Sequence, residues 1–165
     1  MRIIHVISGL NQGGAEAMLE KLVLAGRRMN PQIEQTVINL GNPGVVGTRL
    51  AQAGVPVESL GMRPGLHFLA QLRALTRRLQ PGPGVTVVQT WLWHADLIGG
   101  LCARAAGNHR VIWNLRNSMP QHAATKAASR TVARLCGWLS RRVPARIICN
   151  STAALHAHVA VGYAA

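Results

Sequence analysis

The sequence is poor in acidic residues. Its 165 residues include only 5 Asp and Glu against 18 Lys and Arg, a formal net charge of +13. So few carboxylates leave no ligand set for a calcium or magnesium cage, and catalysis by paired carboxylates would need residues far apart in the chain. The basic excess favours an anionic partner, which could be a nucleotide phosphate, a nucleic acid or an acidic membrane surface. A GC-rich genome would explain Arg over Lys, but not the scarcity of acids.

Aromatic residues and cysteines are also few. The six aromatic residues are too sparse to interleave with basic residues on a nucleic-acid platform, so we expect no nucleic-acid partner. The three cysteines, Cys102, Cys136 and Cys149, show no CxxC or Cys/His spacing. We therefore expect buried thiols in a reducing compartment and no metal site.

Long hydrophobic runs are missing, and no signal-peptide pattern precedes the first apolar segment. The sequence thus predicts neither a membrane span nor a leader, and indicates a cytoplasmic protein. A hydrophobic content of 48% excludes a disordered chain, and 165 residues suit one domain with its own core.

Apolar strand-like segments alternate with helix-like segments along the whole chain. The predicted strands are Arg2–Ser8, Ile33–Leu40, Val55–Leu60, Val85–Gln89, Val111–Leu115 and Arg146–Asn150. The predicted helices are Ala15–Met29, Thr48–Ala53, Leu66–Leu79, Asp96–Ala106, Gln121–Arg142 and a last one from Ser151. Strands that are apolar on both faces and alternate with helices predict an α/β fold, a doubly wound, mainly parallel, Rossmann-like sheet. Ligands of such folds bind beyond the carboxyl ends of the strands.

Gly13 and Gly14 follow the first strand and open the first helix. Glycines there let a ligand approach the backbone, and a helix N-terminus favours an anion. The pattern is neither GxGxxG nor a P-loop, so taken alone it favours a tight strand-to-helix turn over a ligand site. Glu16 fits the role of a carboxylate at the start of a helix.

The segment after the fourth strand contains two tryptophans, a histidine and the only aspartate. Trp91 or Trp93 could stack on a sugar or a base, although one of them could instead fill the gap between sheet and helix. His94 could act as a general base or bond a hydroxyl. Asp96 could cap the following helix.

Arg116, Asn117 and Ser118 follow the fifth strand. An arginine with small polar neighbours at this edge suits a phosphate or a polyhydroxyl acceptor. Alternatively, Asn117 or Ser118 caps the next helix and Arg116 contacts only water.

The fifth predicted helix, Gln121–Arg142, has a basic stripe. Helical periodicity places Lys126, Arg130, Arg134 and Arg141 on one face, opposite Val132, Leu135, Cys136 and Leu139. No acid in this helix pairs with these charges. Such a stripe is either a solvated face or a contact with an anionic membrane.

Together, these segments resemble the N-terminal domain of family 4 glycosyltransferases of the GT-B fold. The resemblance spans essentially the whole chain, and it lies in RIIHVISGLNQGGAE, VVQTWLWHADLIGGLCAR, VIWNLRNS and IICNSTAALHAHVAVGY. It implies a retaining, metal-independent transfer of a sugar from a nucleotide-sugar donor, with that donor as substrate and no cofactor. In this family the N-terminal domain chiefly holds the acceptor, and a C-terminal Rossmann-like domain holds most of the donor.

The resemblance also implies roles for individual residues. Gly13 and Gly14 would approach the donor diphosphate or the acceptor. Trp91, Arg116 and Asn117 would line the acceptor cleft, and Asn150 and Ser151 would form its last wall. Many members have a His-x-His-like segment after the fourth strand, where this chain has Gln89–Trp91, so His94 becomes the candidate catalytic histidine.

We therefore expect residues 1–165 to be the acceptor-side domain of a glycosyltransferase, the N-terminal half of a GT-B architecture. The donor domain, with its Glu-x7-Glu segment, is absent from the sequence, so the chain alone should be inactive. The expected acceptor is a glycan or lipid-linked acceptor of the cell-surface polysaccharide or lipopolysaccharide type, used at the inner face of the cytoplasmic membrane. The alternative is a stand-alone nucleotide- or sugar-binding module without catalysis.

Overall fold

A computed structural model describes residues 1–116 and 127–164, which form alternating strands and helices. The strands are β1 (Arg2–Ile7), β2 (Glu34–Asn39), β3 (Val57–Ser59), β4 (Thr86–Trp91), β5 (Val111–Leu115) and β6 (Arg146–Cys149). The helices are α1 (Gly14–Met29), α2 (Val45–Gln52), α3 (Phe68–Arg78), α4 (Trp93–Ala105), α5 (Ala127–Leu139) and α6 (Thr152–Val159). All six strands predicted from the sequence are present.

The strands form one parallel sheet in the order β3-β2-β1-β4-β5-β6. The chain begins in the middle, winds outward through β2 and β3, and returns to the other side of β1 with β4. This topology confirms the predicted doubly wound, Rossmann-like sheet. The reversal creates a topological switch point between β1 and β4, where such sheets open a crevice.

Helices cover both faces of the sheet, and we name each face after one of its helices. On the α1 face, Leu19 and Val23 of α1 pack in one buried cluster with Ile7 of β1 and Leu50 of α2. On the α4 face, a larger buried cluster joins strand residues to α3, α4 and α5. Each face thus has its own apolar core.

Helix α4 lies very close to the sheet because two glycines form its inner surface. A Cβ on Gly100 would lie 2.9 Å from both Trp113 Nε1 and Val143 Cγ1, and one on Gly99 would lie 3.0 Å from Val6 Cγ1. Larger residues there would force the helix away from β1 and β5.

The structure corrects several details of the predicted elements. β4 continues to Trp91 and α4 begins at Trp93, so the segment expected to be a loop is almost entirely regular structure. In α1 the buried stripe is Ala15, Leu19 and Val23, whereas Met18 is 41% exposed.

Several leucines in or next to α3 and α5 are exposed rather than buried. Leu66 precedes α3 and is fully exposed, and Leu69 is exposed within it. Helix α5 ends at Leu139 rather than Arg142, and its Leu135 is 44% exposed. The part of the predicted helix from Gln121 to Lys126 lies outside the described residues.

Candidate functional site

The switch point lies where β1 and β4 end side by side and the chain leaves in opposite directions. After β1 the chain turns to α1 on one face, and after β4 it turns to α4 on the other face. The register pairs Ile7 of β1 with Trp91 of β4, so both strands end at the same level. The following residues therefore form the walls of the crevice.

The loop between β1 and α1, residues 8–13, is held in place by the buried Leu10 and by the loop that leads into α2. Leu10 is fully buried in the core of the α1 face, and its carbonyl accepts a hydrogen bond from Val46 N at 3.0 Å. The loop leading into α2 packs directly against it, because a Cβ on Gly44 would overlap the Leu10 carbonyl and lie 2.8 Å from Asn11 N. Backbone-to-backbone contact thus holds this loop.

Gly13 and Gly14 lie at the exposed end of this loop, at the start of α1. No side chain among the described residues caps this helix, and a Cβ on Gly14 would meet nothing within 4 Å. A Cβ on Gly13 would overlap the Glu16 carboxylate, so that side chain folds back toward the helix start. This position fits the role predicted for Glu16 and leaves room beside Gly14 for a ligand.

The junction between β4 and α4 is a single residue, Leu92, in a rare backbone conformation. Its φ of 72° and ψ of 150° make it the one non-glycine residue with positive φ in the described part of the chain. Such a conformation costs about 1–3 kcal/mol and persists where the surroundings enforce it, often at functional sites.

Three side chains from different elements fix this junction. Thr90 Oγ1 donates to Asp96 Oδ1 at 2.5 Å, which ties α4 to β4. Ser8 Oγ, from the first residue of the β1–α1 loop, accepts from Ala95 N at 3.2 Å, so it satisfies one free amide of the first turn of α4. From α5, Cys136 Sγ bonds the Trp93 carbonyl at 3.4 Å.

Asp96 is fully buried and does not cap α4 as the sequence suggested. Burial raises the pKa of its carboxyl well above the usual range, and the bond from Thr90 opposes that shift. Its Oδ2 finds no hydrogen-bond partner within residues 1–116 and 127–164. The sequence pattern had marked Asp96 only by its position near the start of a helix.

His94 is the second residue of α4 and is exposed at the switch point. It follows the strained Leu92 by two residues, on a helix start whose position the three bonds above determine. The structure thus brings His94 beside the end of β1, where a ligand could reach it. Its catalytic role remains a prediction.

Trp91 belongs to the core beneath the crevice rather than to its wall. It is fully buried, and its Nε1 donates to His5 Nδ1 at 3.4 Å. His5 Nε2 in turn donates to Gln35 Oε1 at 3.2 Å, and burial lowers the pKa of His5 to about 4. The expectation that the Trp91 ring faces an open cleft is corrected, because a fully buried ring cannot stack on a ligand.

Arg116 follows β5, beside Trp91. Its guanidinium carbon lies 5.5 Å from the centroid of the Trp91 ring, within the range of a cation–π contact. Asn114, the register partner of Trp91, is 1% exposed on the same strand. Sequence reasoning missed Asn114, although an amide within the apolar run VIWNL was a signal. Asn117 lies outside the described residues.

Asn150 and Ser151 are exposed at the end of β6. Ser151 Oγ accepts from Ala154 N at 3.1 Å, so it is the N-cap of α6. β6 is the edge strand, two strands away from β4 and about 14 Å from β1. The structure thus does not bring these residues to the switch point.

The predicted basic stripe is partly rearranged. Arg130 and Arg134 are exposed on α5, but Arg141 lies in the turn after the helix, and Lys126 lies outside the described residues. Trp138 is 67% exposed on α5, and the Arg142 guanidinium lies 5.7 Å from its ring centroid. In the described residues, no helix is both long and apolar enough to cross a bilayer.

Two grooves lie away from the switch point. One of about 450 Å³ lies between β6, α6 and the turn after α5, and one of about 590 Å³ lies between the amino half of the sheet and the end of α3. Over the described ranges, no three His, Cys, Asp or Glu side chains are grouped so that they could hold a metal ion. Neither groove is lined by Gly13, Gly14 or His94.

The architecture is a six-stranded parallel sheet covered by helices on both faces. Among solved structures, the Anabaena protein Alr3699 (HepE), crystallised in complex with UDP and glucose, matches with a TM-score of 0.78 and 18% identity. The match covers 99% of this chain and 42% of that one. No family model matches the chain, and no curated protein does. At this identity the likeness shows a shared fold.

Proposed function

We propose that this chain is the acceptor-side domain of a glycosyltransferase that uses a nucleotide-sugar donor. The observation that carries the proposal is the switch point, where the strained Leu92 junction and the bond from Ala95 N to Ser8 Oγ hold the exposed His94 next to the first residue of the β1–α1 loop. The same loop ends in the exposed Gly13 and Gly14. The likeness to a protein that binds UDP and glucose supports the same reading. Retaining, metal-independent chemistry and membership of family 4 belong to this proposal through the sequence resemblance.

The open form of the site suggests a two-domain enzyme. The switch point is an exposed edge, and a sugar-transfer site must exclude water from the reacting centre. The chain spans 42% of the length of the structure it matches. We therefore place the donor mainly on a second domain, across a cleft whose acceptor wall is the carboxyl edge of this sheet.

His94 is proposed to contact the acceptor or the transferred sugar. An exposed imidazole on a rigid helix start can accept a hydrogen bond from a hydroxyl or donate one to the developing charge of the leaving group. Gly14 leaves space for a phosphate or sugar to approach the first turn of α1. The acceptor is proposed to be a glycan or lipid-linked glycan.

A titration with UDP, UDP-glucose and uridine, followed by NMR of the labelled chain, tests the binding. We expect weak binding with shifts at residues 8–14 and 92–94.

Purified residues 1–165 should transfer no sugar, whereas the chain extended into the coding sequence after residue 165 should do so. In that extended protein, His94→Gln should lower kcat at least about tenfold, while His67→Gln, an exposed histidine before α3, should not. Transfer by residues 1–165 alone, or no shift at this edge, would contradict the proposal.

We also propose that α5 contacts an anionic membrane surface. Arg130 and Arg134 are exposed on it, Trp138 is exposed nearby, and the sequence contains no acid after Asp96. Basic residues and an aromatic side chain on one surface suit anionic headgroups. Co-sedimentation with anionic vesicles should fall with salt and with Arg130→Gln plus Arg134→Gln, and not with Arg73→Gln on α3. Equal binding to neutral vesicles would count against it.

A further inference from the structure

Two buried hydrogen-bond donors at the carboxyl end of β5 have no partner in the part of the chain that the structure describes. The Nδ2 of Asn114 and the Nε of Arg116 are both buried, and neither has an acceptor within the described residues. An unsatisfied buried donor costs about 1–3 kcal/mol, so each such group in a native structure needs an explanation.

The two donors belong to one small patch. Asn114 lies in β5 and Arg116 follows the strand directly, two positions further along the chain, so their side chains point to the same side of the sheet. Asn114 is the register partner of Trp91, and the Arg116 guanidinium lies over the Trp91 ring. The ring supports one face of the guanidinium, and its edge remains able to bind an acceptor.

The charges nearby favour an anion as that acceptor. The two ion pairs in the described residues, Arg49–Glu20 and Arg78–Glu58, use carboxylates of other elements. Asp96 bonds Thr90, which packs toward α4 on the other face of the sheet. The sequence contains no acid beyond Asp96, so no carboxylate on β5 or on a later element can neutralise Arg116.

We propose that Asn114 and Arg116 form a subsite that holds an anionic group at the end of β5. The group is a phosphate, a diphosphate or a carboxylate, because a guanidinium fork and an amide donor together match such oxygens. The proposal deepens the proposed function and rests on it for the source of the anion. That source is either the donor diphosphate or a charged group on the acceptor.

NMR signals of the two N–H groups measure anion binding at the subsite directly. In the labelled chain, the Asn114 side-chain amide and the Arg116 Nε–H signals should shift on titration with phosphate or pyrophosphate, together with the Trp91 indole signal. Uridine alone and sodium chloride at equal ionic strength should leave them in place. Unchanged signals with every anion overturn the subsite, whatever the fate of the variants below.

Variants distinguish a specific anion site from the general attraction of anions to a basic protein. Arg116→Gln should weaken pyrophosphate binding about tenfold, Arg116→Lys less, and Asn114→Leu should weaken it as well. The control is Arg110→Gln, which removes the same charge from an exposed residue at the opposite end of β5. Equal losses in Arg116→Gln and Arg110→Gln would mean an adventitious ion only and would overturn the subsite.

Competition identifies the source of the anion. If UDP displaces inorganic phosphate from the subsite, the donor diphosphate is the ligand; if glucose 1-phosphate still shifts these signals at saturating UDP, the acceptor supplies it. Shifts at residues 8–14 and 92–94 with UDP, but none at Asn114 and Arg116, would overturn the subsite and leave the proposed function standing. Shifts at Asn114 and Arg116 with UDP, but none at residues 8–14 and 92–94, would support the subsite and count against the nucleotide-sugar assignment.

Discussion

The two connections that flank the switch point are built in opposite ways. The β1–α1 loop has six residues, is held by backbone contact with the loop before α2, and ends in exposed glycines. The β4–α4 junction is one strained residue, held by side chains from the β1–α1 loop, β4, α4 and α5. The first therefore offers accessible backbone to a ligand, and the second fixes the position of His94.

Gly44 provides the largest expected effect on the first connection. Gly44→Ala would place a Cβ inside the Leu10 carbonyl, so the two loops must separate and the free energy of unfolding should fall by about 3 kcal/mol. Gly14→Ala serves as the matched control, because its Cβ would meet nothing within 4 Å. Urea unfolding measures both. A tolerated Gly44→Ala would show that backbone contact does not hold the loop.

Asp96 tests the second connection through pH. Its folded pKa is raised, so the folded state keeps a proton that the unfolded chain releases above about pH 4. The stability of the wild type therefore falls as pH rises from that value toward the folded pKa, by at most about 1.4 kcal/mol per pH unit. Asn cannot titrate, so Asp96→Asn should gain stability relative to the wild type as pH rises.

Denaturant unfolding between pH 5 and pH 8 measures this difference. The pKa of His5, which burial lowers to about 4, adds a loss of stability as pH falls below about 6.5. That loss is common to both proteins and cancels in the comparison. A difference between Asp96→Asn and wild type that is constant with pH would show that Asp96 is charged in the fold.

The sequence predicted the fold better than it predicted the site. Apolar runs separated by glycine, proline and polar residues located all six strands, because such runs reflect burial on both faces of a sheet. Residues 90–95 were expected to form a loop between the fourth strand, ending at Gln89, and a helix beginning at Asp96. Trp91 nevertheless ends β4, and its burial depends on contacts with His5 and with α1 and α2, which are distant in sequence.

The roles of Ser8, Asp96 and Asn114 could not be predicted from local patterns. Ser8 bonds the start of α4 from the loop after β1, and Asp96 bonds back to β4 instead of capping its own helix. Both contacts depend on the strand order, which places β4 beside β1. Asn114 carried a local signal, an amide in an apolar run, but only the structure shows that its donor is unsatisfied.

Leu92 gives the smallest expected effect and the sharpest test of strain. At an ordinary position glycine is less stable than alanine by about 0.5–1 kcal/mol, because it loses more backbone entropy on folding. At the φ of Leu92 the order should reverse, since only glycine adopts this conformation without steric cost. Leu92→Gly should therefore be more stable than Leu92→Ala by about 1 kcal/mol in urea unfolding. Both variants lose the same packing against the α1-face core, so the comparison isolates the backbone. If alanine were the more stable, the junction would relax without its side chain, and the rigid presentation of His94 would lose its physical basis.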